Sequence, residues 1–180
     1  MDQTETVISS ERIYEGRIVK LRVDTVTLPN GKQSKREVVE HGGAVAVVAM
    51  KDDETVLMVR QFRLPAGKAL LEIPAGGIDE GEDPEEAARR ELAEEIGMVP
   101  DTLTPLYQAY AAPGYTTEIL YGFLAQGLRD APQDPDEDEF VEIVTMRLED
   151  AIAAIATGEI QDMKTVAGLT MAAHILKSAA

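Results

Sequence analysis

The chain has 180 residues, a usual length for one domain, with 44% hydrophobic and 28% charged residues, which excludes a fibrous or wholly disordered protein. Its formal net charge of −16 argues against nucleic-acid binding, and its longest apolar run, residues 44–50, is too short to span a membrane. The polar N-terminus lacks the features of a secretory signal and there are no cysteines, so we expect a cytoplasmic protein without disulfides.

The predicted elements are mostly strands. The alternating residues 17–28, the turn residues Pro29–Lys32 and residues 36–41 predict an N-terminal β-hairpin. Further strands are predicted, in chain order, over residues 44–50, 55–62, 70–73, 103–111, 118–125 and 140–146, and residues 76–81 read as a loop. Helices are predicted from residue 83 to 97 and over residues 148–156 and 163–177. Many strands and few helices in irregular order indicate an α+β fold.

The helix over residues 83–97 has clear start and stop signals. Asp83 is a typical N-cap, Pro84 suits the first helical position, and Gly97 is a typical C-terminal stop. Apolar residues recur at helical spacing and predict a buried stripe of Ala88, Leu92 and Ile96.

Acidic residues lie along the edge of this stripe. Glu91 and Glu95 are one helical turn apart, and Glu94 lies further round, towards Arg90. Like charges at this spacing repel each other, whereas a divalent cation that prefers carboxylate oxygens converts the pair into a binding site. The alternative is a solvated acidic helix face neutralised by neighbouring arginines.

The stretch from residue 76 to 98 decides between these readings. It matches the pattern G-x5-E-x7-R-E-U-x-E-E-x-G-U, with U aliphatic, at Gly76, Glu82, Arg90, Glu91, Leu92, Glu94, Glu95, Gly97 and Met98. This pattern is the signature of the Nudix hydrolases, and the chain resembles that family, although Met98 stands where the family more often has Ile, Leu or Val. The resemblance implies an α/β/α sandwich around a mixed sheet over residues 43–180, preceded by an N-terminal β-hairpin segment over residues 1–42.

The resemblance also implies a role for each signature residue. Glu91 and Glu95 would bind Mg²⁺, for which Mn²⁺ would substitute, together with the backbone carbonyl of Ala75, while Glu94 would assist catalysis at the same edge. Arg90 would brace the acids of the loop and the helix, and the other structural positions would be Gly76, Glu82 and Gly97. Bound metal would neutralise a diphosphate, activate water and stabilise the leaving oxygen.

Three features outside the signature narrow the substrate, each by resemblance to the ADP-ribose pyrophosphatase subgroup. The stretch P-G-Y-T-T-E implies substrate-binding roles for Pro113, Gly114 and Glu118, the alternative being an ordinary turn. The stretch R-Q-F-R before L-L-E-I-P-A-G implies that Arg63 contacts the diphosphate, the alternative being a surface arginine. The stretch K-R-E-V-V-E-H implies a phosphate or ribose contact for Arg36.

In the same subgroup the general base comes from an acidic loop downstream of the signature. The acidic cluster over residues 134–139 is the segment in that place, and the distance to the following helix favours Glu139, with Glu137 second. A solvated acidic loop is the alternative for either residue.

These features predict an enzyme that hydrolyses ADP-ribose to AMP and ribose 5-phosphate. The alternatives are hydrolysis of another nucleotide sugar or dinucleotide, such as GDP-mannose or NADH, and a non-catalytic module that senses ADP-ribose. Because a two-stranded hairpin is marginal alone, we also expect a homodimer in which the N-terminal segment packs on the partner subunit. By resemblance, Arg36 would then serve the partner's site.

Overall fold

A computed structural model describes residues 2–132 and 140–179 of the chain. Two units are distinguished by their internal contacts: one comprises Met1–Gly43 and Tyr110–Ile119, and the other Ala44–Ala109 and Leu120–Ala180. The division expected from the sequence is into residues 1–42 and 43–180. The first unit of the structure also includes Tyr110–Ile119, which lies in the second of these ranges. None of the helices within the described residues has the length and apolar character needed to cross a bilayer.

The first unit contains a three-stranded antiparallel sheet in the order β1-β2-β3. Its strands are β1 (Thr6–Glu15), β2 (Lys20–Thr27) and β3 (Gln33–Glu40). The predicted hairpin is confirmed as β2 and β3, which are joined by a turn closed by a 2.8 Å hydrogen bond from the Leu28 N–H to the Lys32 carbonyl oxygen. β1 was not predicted, because every residue of this strand is exposed and the sequence shows no half-buried alternation.

The second unit contains a seven-stranded mixed sheet with the central order β10-β5-β4-β9-β8. Its strands are β4 (Ala44–Met50), β5 (Thr55–Arg63), β6 (Lys68–Glu72), β7 (Ala75–Gly77), β8 (Met98–Tyr110), β9 (Ile119–Asp130) and β10 (Val141–Arg147). β4 is parallel to β9 and antiparallel to β5 and β7, and β6 pairs with β5. A short 3-10 helix, Leu64–Ala66, separates β5 from β6.

Three helices complete this unit: α1 (Pro84–Ile96), α2 (Leu148–Thr157) and α3 (Met163–Ala179). Alternate residues of β4 enter two separate cores, which places helices on both faces of the sheet. Val45 and Val47 pack in the core that contains α1, and Ala46 and Val48 pack in the core that contains α2 and α3. The unit is therefore the predicted α/β/α sandwich around a mixed sheet.

The predicted helix over residues 83–97 is confirmed as α1. Asp83 accepts a 2.8 Å hydrogen bond from the Glu85 N–H as N-cap, and Gly97 ends the helix in the left-handed conformation at φ 65°. The stripe of Ala88, Leu92 and Ile96 is buried as expected. The prediction of a plain loop over residues 76–81 was wrong at its start, because residues 75–77 pair with β4 through their backbone.

Leu92 fixes α1, and thereby its acidic residues, against the sheet. Replacing this fully buried residue in Leu92→Ala should lower the free energy of unfolding by about 2–5 kcal/mol, because the change loses apolar contacts and leaves a cavity. Urea unfolding monitored by circular dichroism measures this loss. Glu86→Ala, on the exposed side of the same helix, is the control and should change the free energy by about 0.5 kcal/mol or less. Equal effects of the two substitutions would contradict the packing of α1 described here.

Candidate active site

The backbone of β7, where the signature begins, contacts the side chain of Glu91 from α1. A Cβ atom added to Gly76 would lie 2.1–2.2 Å from the Cδ and both carboxylate oxygens of Glu91. A side chain at this position would displace the Glu91 carboxylate, so glycine allows the carboxylate to lie directly on the backbone. Glu91 is 8% exposed.

Glu95 lies against the same backbone segment. Its Oε2 atom accepts a 3.0 Å hydrogen bond from the Ala75 N–H, and the side chain is 2% exposed. α1 and β7 thus hold two buried carboxylates beside Ala75 and Gly76, the arrangement expected from their spacing on the helix. Burial of two like charges is costly unless cations or hydrogen bonds compensate for it.

Arg90 supplies part of this compensation. Its guanidinium binds both carboxylate oxygens of Glu82 at 2.9 Å, and it donates to Glu91 at 2.6 Å and to Glu94 at 3.0 Å. It also donates to the carbonyl oxygen of Gly77 at 2.9 Å. One cation therefore joins the loop to the acids of the helix.

These contacts change the protonation equilibria of the group. The hydrogen bonds from Arg90 lower the pKa of Glu82 to about 2, with a further contribution from the Asp79 N–H. The same contacts, led by that of Glu82, raise the pKa of Arg90 above its ordinary value. Both groups are consequently charged throughout the physiological range.

The atoms gathered here suit a hard divalent cation. Glu91, Glu95 and the backbone of Ala75 offer only oxygen donors for a metal, which is the ligand type that Mg²⁺ and Mn²⁺ prefer. Over residues 2–132 and 140–179, no group of three or more carboxylate or histidine side chains is arranged to hold a metal. Within the described residues, the groups that could hold a metal here are the side chains of Glu91 and Glu95 and the backbone carbonyl of Ala75, with water or substrate as further ligands.

Arg63 lies near this site and is paired with Glu72. Its Nε and Nη2 atoms donate to the two oxygens of Glu72 at 2.9 and 2.8 Å. The pKa of Arg63 is raised, first by this hydrogen bond and also by the charges of Glu95 and Asp162. The sequence predicted a diphosphate contact for Arg63, but it gave no role to Glu72, which is 1% exposed.

The other predicted substrate-binding residues belong to the first unit. Arg36 donates to both carboxylate oxygens of Glu5, at 2.9 and 2.5 Å. Pro113 and Gly114 lie in an exposed turn, and the carboxylate of Glu118 is 3.7 Å from Nδ1 of His41. Their substrate-binding roles stay predictions. The two candidate general bases, Glu137 and Glu139, lie outside the described residues.

Family models match two consecutive segments of the chain. A family model described as the NUDIX domain matches residues 40–167, and one described as the nucleoside diphosphate sugar hydrolase N-terminal domain matches residues 5–39. A crystal structure of an ADP compounds hydrolase superposes with a TM-score of 0.88 at 26% identity, covering 98% of this chain and 96% of the other.

Curated relatives cover most of the chain. An ADP-ribose pyrophosphatase of Bacillus subtilis is 45% identical over 89% of this chain and 88% of its own length. A methanol dehydrogenase activator of Bacillus methanolicus is 44% identical, covering 90% and 89%. A GDP-mannose pyrophosphatase of Yersinia enterocolitica is 40% identical, covering 74% and 75%.

The ion pair of Glu82 with Arg90 should make stability depend on pH. Because the pKa of Glu82 is depressed in the folded state, its contribution is complete above about pH 4.5 and is lost as the pH falls towards 2. Glu82→Gln should therefore lower the free energy of unfolding by about 1–3 kcal/mol at pH 7, and by progressively less below pH 4.5. Urea titrations at several pH values test this. Glu80→Gln, exposed in the same loop, is the control, and a pH-independent deficit in Glu82→Gln would contradict the assignment.

Proposed function

The chain belongs to the Nudix hydrolase family, and we propose that it hydrolyses the diphosphate of ADP-ribose to AMP and ribose 5-phosphate with the aid of Mg²⁺. The observation that carries this proposal is the pair of buried carboxylates, Glu91 and Glu95, held against the backbone of Ala75 and Gly76. Arg90 offsets part of the cost of burying these like charges, and a divalent cation bound beside them would offset it further and assist the cleavage of a diphosphate.

Glu91, Glu95 and the carbonyl oxygen of Ala75 would hold the metal. When bound, Mg²⁺ would supply neutralisation of the diphosphate, a more acidic water and stabilisation of the leaving oxygen. Glu94, which lies beside Arg90 and is one-third exposed, would assist catalysis at the same edge. Glu139, or else Glu137, is the proposed general base.

Arg63 would bind the diphosphate. Its pairing with Glu72 uses Nε and Nη2, and within the described part of the chain Nη1 makes no hydrogen bond. The guanidinium is thus fixed along one edge and has donors left for a phosphate oxygen. In a protein with a net charge of −16, such a local cation is needed to attract an anionic substrate.

The choice of ADP-ribose rests on similarity. The Bacillus subtilis relative matches this chain over more of its length and at higher identity than the GDP-mannose pyrophosphatase does. GDP-mannose is therefore the second candidate substrate, and NADH a third. A sensing module is disfavoured because every signature acid is retained. The cytoplasmic location and the absence of nucleic-acid binding stay predictions.

Activity should require both a metal and the buried carboxylates. ADP-ribose should be cleaved faster than GDP-mannose or NADH, and activity should vanish in EDTA and return with Mg²⁺ or Mn²⁺. Glu95→Gln removes one hard ligand with little change in shape and should lower turnover by several orders of magnitude, roughly 10³-fold or more, while the chain folds normally. Phosphate release after phosphatase treatment of the products measures turnover.

Glu86→Gln is the matched control for this experiment, because it removes the same charge from the exposed face of α1. It should retain wild-type activity. Near-normal turnover in Glu95→Gln would refute the metal assignment, and preference for GDP-mannose would refute the choice of substrate.

We also propose that the chain is a homodimer, with residues 1–42 as a dimer-forming segment and residues 43–180 as the catalytic domain. β1 is the edge strand of its sheet, and all its residues are exposed. The exposed side chains include four large apolar ones, Val7, Ile8, Ile13 and Tyr14, each more than half exposed. An apolar edge strand of this length needs a covering surface, and a second copy of the chain would supply it.

The dimer proposal gives a complementation test. Light scattering should report about twice the chain mass of 19.5 kDa. If Arg36 serves the partner's site, co-expressed Arg36→Ala and Glu95→Gln chains should regain up to about half of the activity per mixed dimer, because one site then has both groups intact. A Glu91→Gln and Glu95→Gln mixture is the control and should stay inactive, since both residues belong to the same domain. An active monomer would refute the proposal.

A further inference from the structure

Lys164, in the first turn of α3, is paired with the carboxylate that holds Arg63. Its Nζ atom contacts Oε2 of Glu72 and lies 3.0 Å from Oδ2 of Asp162. The side chain of Lys164 is 14% exposed and that of Glu72 is 1% exposed, so solvent screens this pair little. No local sequence pattern predicts the pair, because its members lie far apart in the chain.

Glu72 accepts from two cations at once. Arg63 occupies both of its oxygens, and Lys164 donates to one of them. Burial raises the pKa of Glu72, but the hydrogen bonds and charges of Arg63 and Lys164 outweigh burial and keep that pKa below its ordinary value. Glu72 is therefore an anion shared between the two cations, and neither cation neutralises it alone.

The backbone around Lys164 is fixed to the strand that carries Glu72. Thr165 donates to Asp162 Oδ2 through its N–H at 3.0 Å and through its hydroxyl at 2.6 Å. The same hydroxyl oxygen accepts from the Ile73 N–H at 2.9 Å, and the Tyr107 hydroxyl donates to the Lys164 carbonyl oxygen at 3.2 Å. These bonds connect the residue after Lys164 to the residue after Glu72. The backbone that carries the ammonium group is therefore fixed close to the carboxylate it contacts.

We propose that Lys164 is a positioning residue of the hydrolase, which acts on the substrate through Glu72 and Arg63. This inference rests on the proposed function of Arg63 as a diphosphate contact. Lys164 fixes the plane of the Glu72 carboxylate, and it takes up part of the negative charge that Arg63 would otherwise neutralise. Without Lys164, the guanidinium loses its orientation and presents less positive charge to the diphosphate.

The first test compares three substitutions on α3. Lys164→Met should raise KM for ADP-ribose about tenfold with a smaller change in kcat, because the diphosphate charge that Arg63 binds is present in the ground state. Lys164→Arg, which keeps the charge and reach, should restore KM to within about threefold of wild type. Lys177→Met removes the same charge from the exposed end of α3 and should behave as wild type. An unchanged KM in a folded Lys164→Met protein would overturn the proposal.

A double-mutant cycle separates positioning from general structural support. In an Arg63→Gln background, Lys164→Met should change KM by less than about twofold, because the residue through which it acts is gone. Independent, multiplying effects of the two substitutions would overturn the proposal. If Lys164→Met fails to fold, Lys164→Gln replaces it, since its amide can still donate to Glu72 while the charge is lost.

A further measurement does not depend on turnover. The Arg63 Hε proton should exchange with water slowly in wild type and in Lys177→Met, because it is bonded to a buried carboxylate. In Lys164→Met it should exchange about tenfold faster by ¹⁵N NMR, since Glu72 then lacks the hydrogen bond that fixes its carboxylate. An unchanged exchange rate would overturn the proposal. Failure of the wild type to cleave ADP-ribose would instead refute the proposed function. The exchange rates would still show whether Lys164 fixes the pairing of Arg63 with Glu72.

Discussion

The guanidinium of Arg90 binds Glu82, Glu91, Glu94 and the carbonyl oxygen of Gly77, and the geometry of the site depends on these bonds. The loop after β7 has little regular structure of its own, and its acids would repel those of α1. A planar cation with donors on several edges can hold both at once, which a lysine cannot do. Arg90 therefore sets the distance between the loop and the helix.

A second cluster, formed by Arg63, Glu72 and Lys164, lies near Glu95 and solves a related problem. The chain is strongly acidic, yet its proposed substrate is an anion. The N–H donors of Arg90 bind neighbouring carboxylates and a backbone carbonyl. Arg63 binds Glu72 through Nε and Nη2, which leaves Nη1 for a ligand. Arg90 thus neutralises acids of the protein, whereas Arg63, in the proposed function, would bind the charge of the substrate.

Local signals predicted much of this structure, and long-range contacts account for what they missed. Asp83, Gly97 and the stripe through Leu92 specify α1 within a few turns of chain, and the signature spacing places Glu91 beside Glu95. The pairing of Glu72 with Lys164 depends instead on how α3 returns to the sheet, which no local pattern encodes. β1 escaped prediction because an exposed strand has no buried face to impose alternation.

The parallel pairing of β4 with β9 bears on how the chain reaches this structure. Ala44 pairs with Leu120, and the signature loop and α1 lie within the segment between them. Phe123 and Ala125 of β9 complete the core on which α1 packs. Bringing β4 and β9 together costs chain entropy before the stabilising contacts between them have formed. Topologies with such long-range parallel pairing therefore fold slowly. The core under α1 is therefore complete only once β9 has paired with β4, so the position of the acidic helix depends on a strand that carries no signature residue.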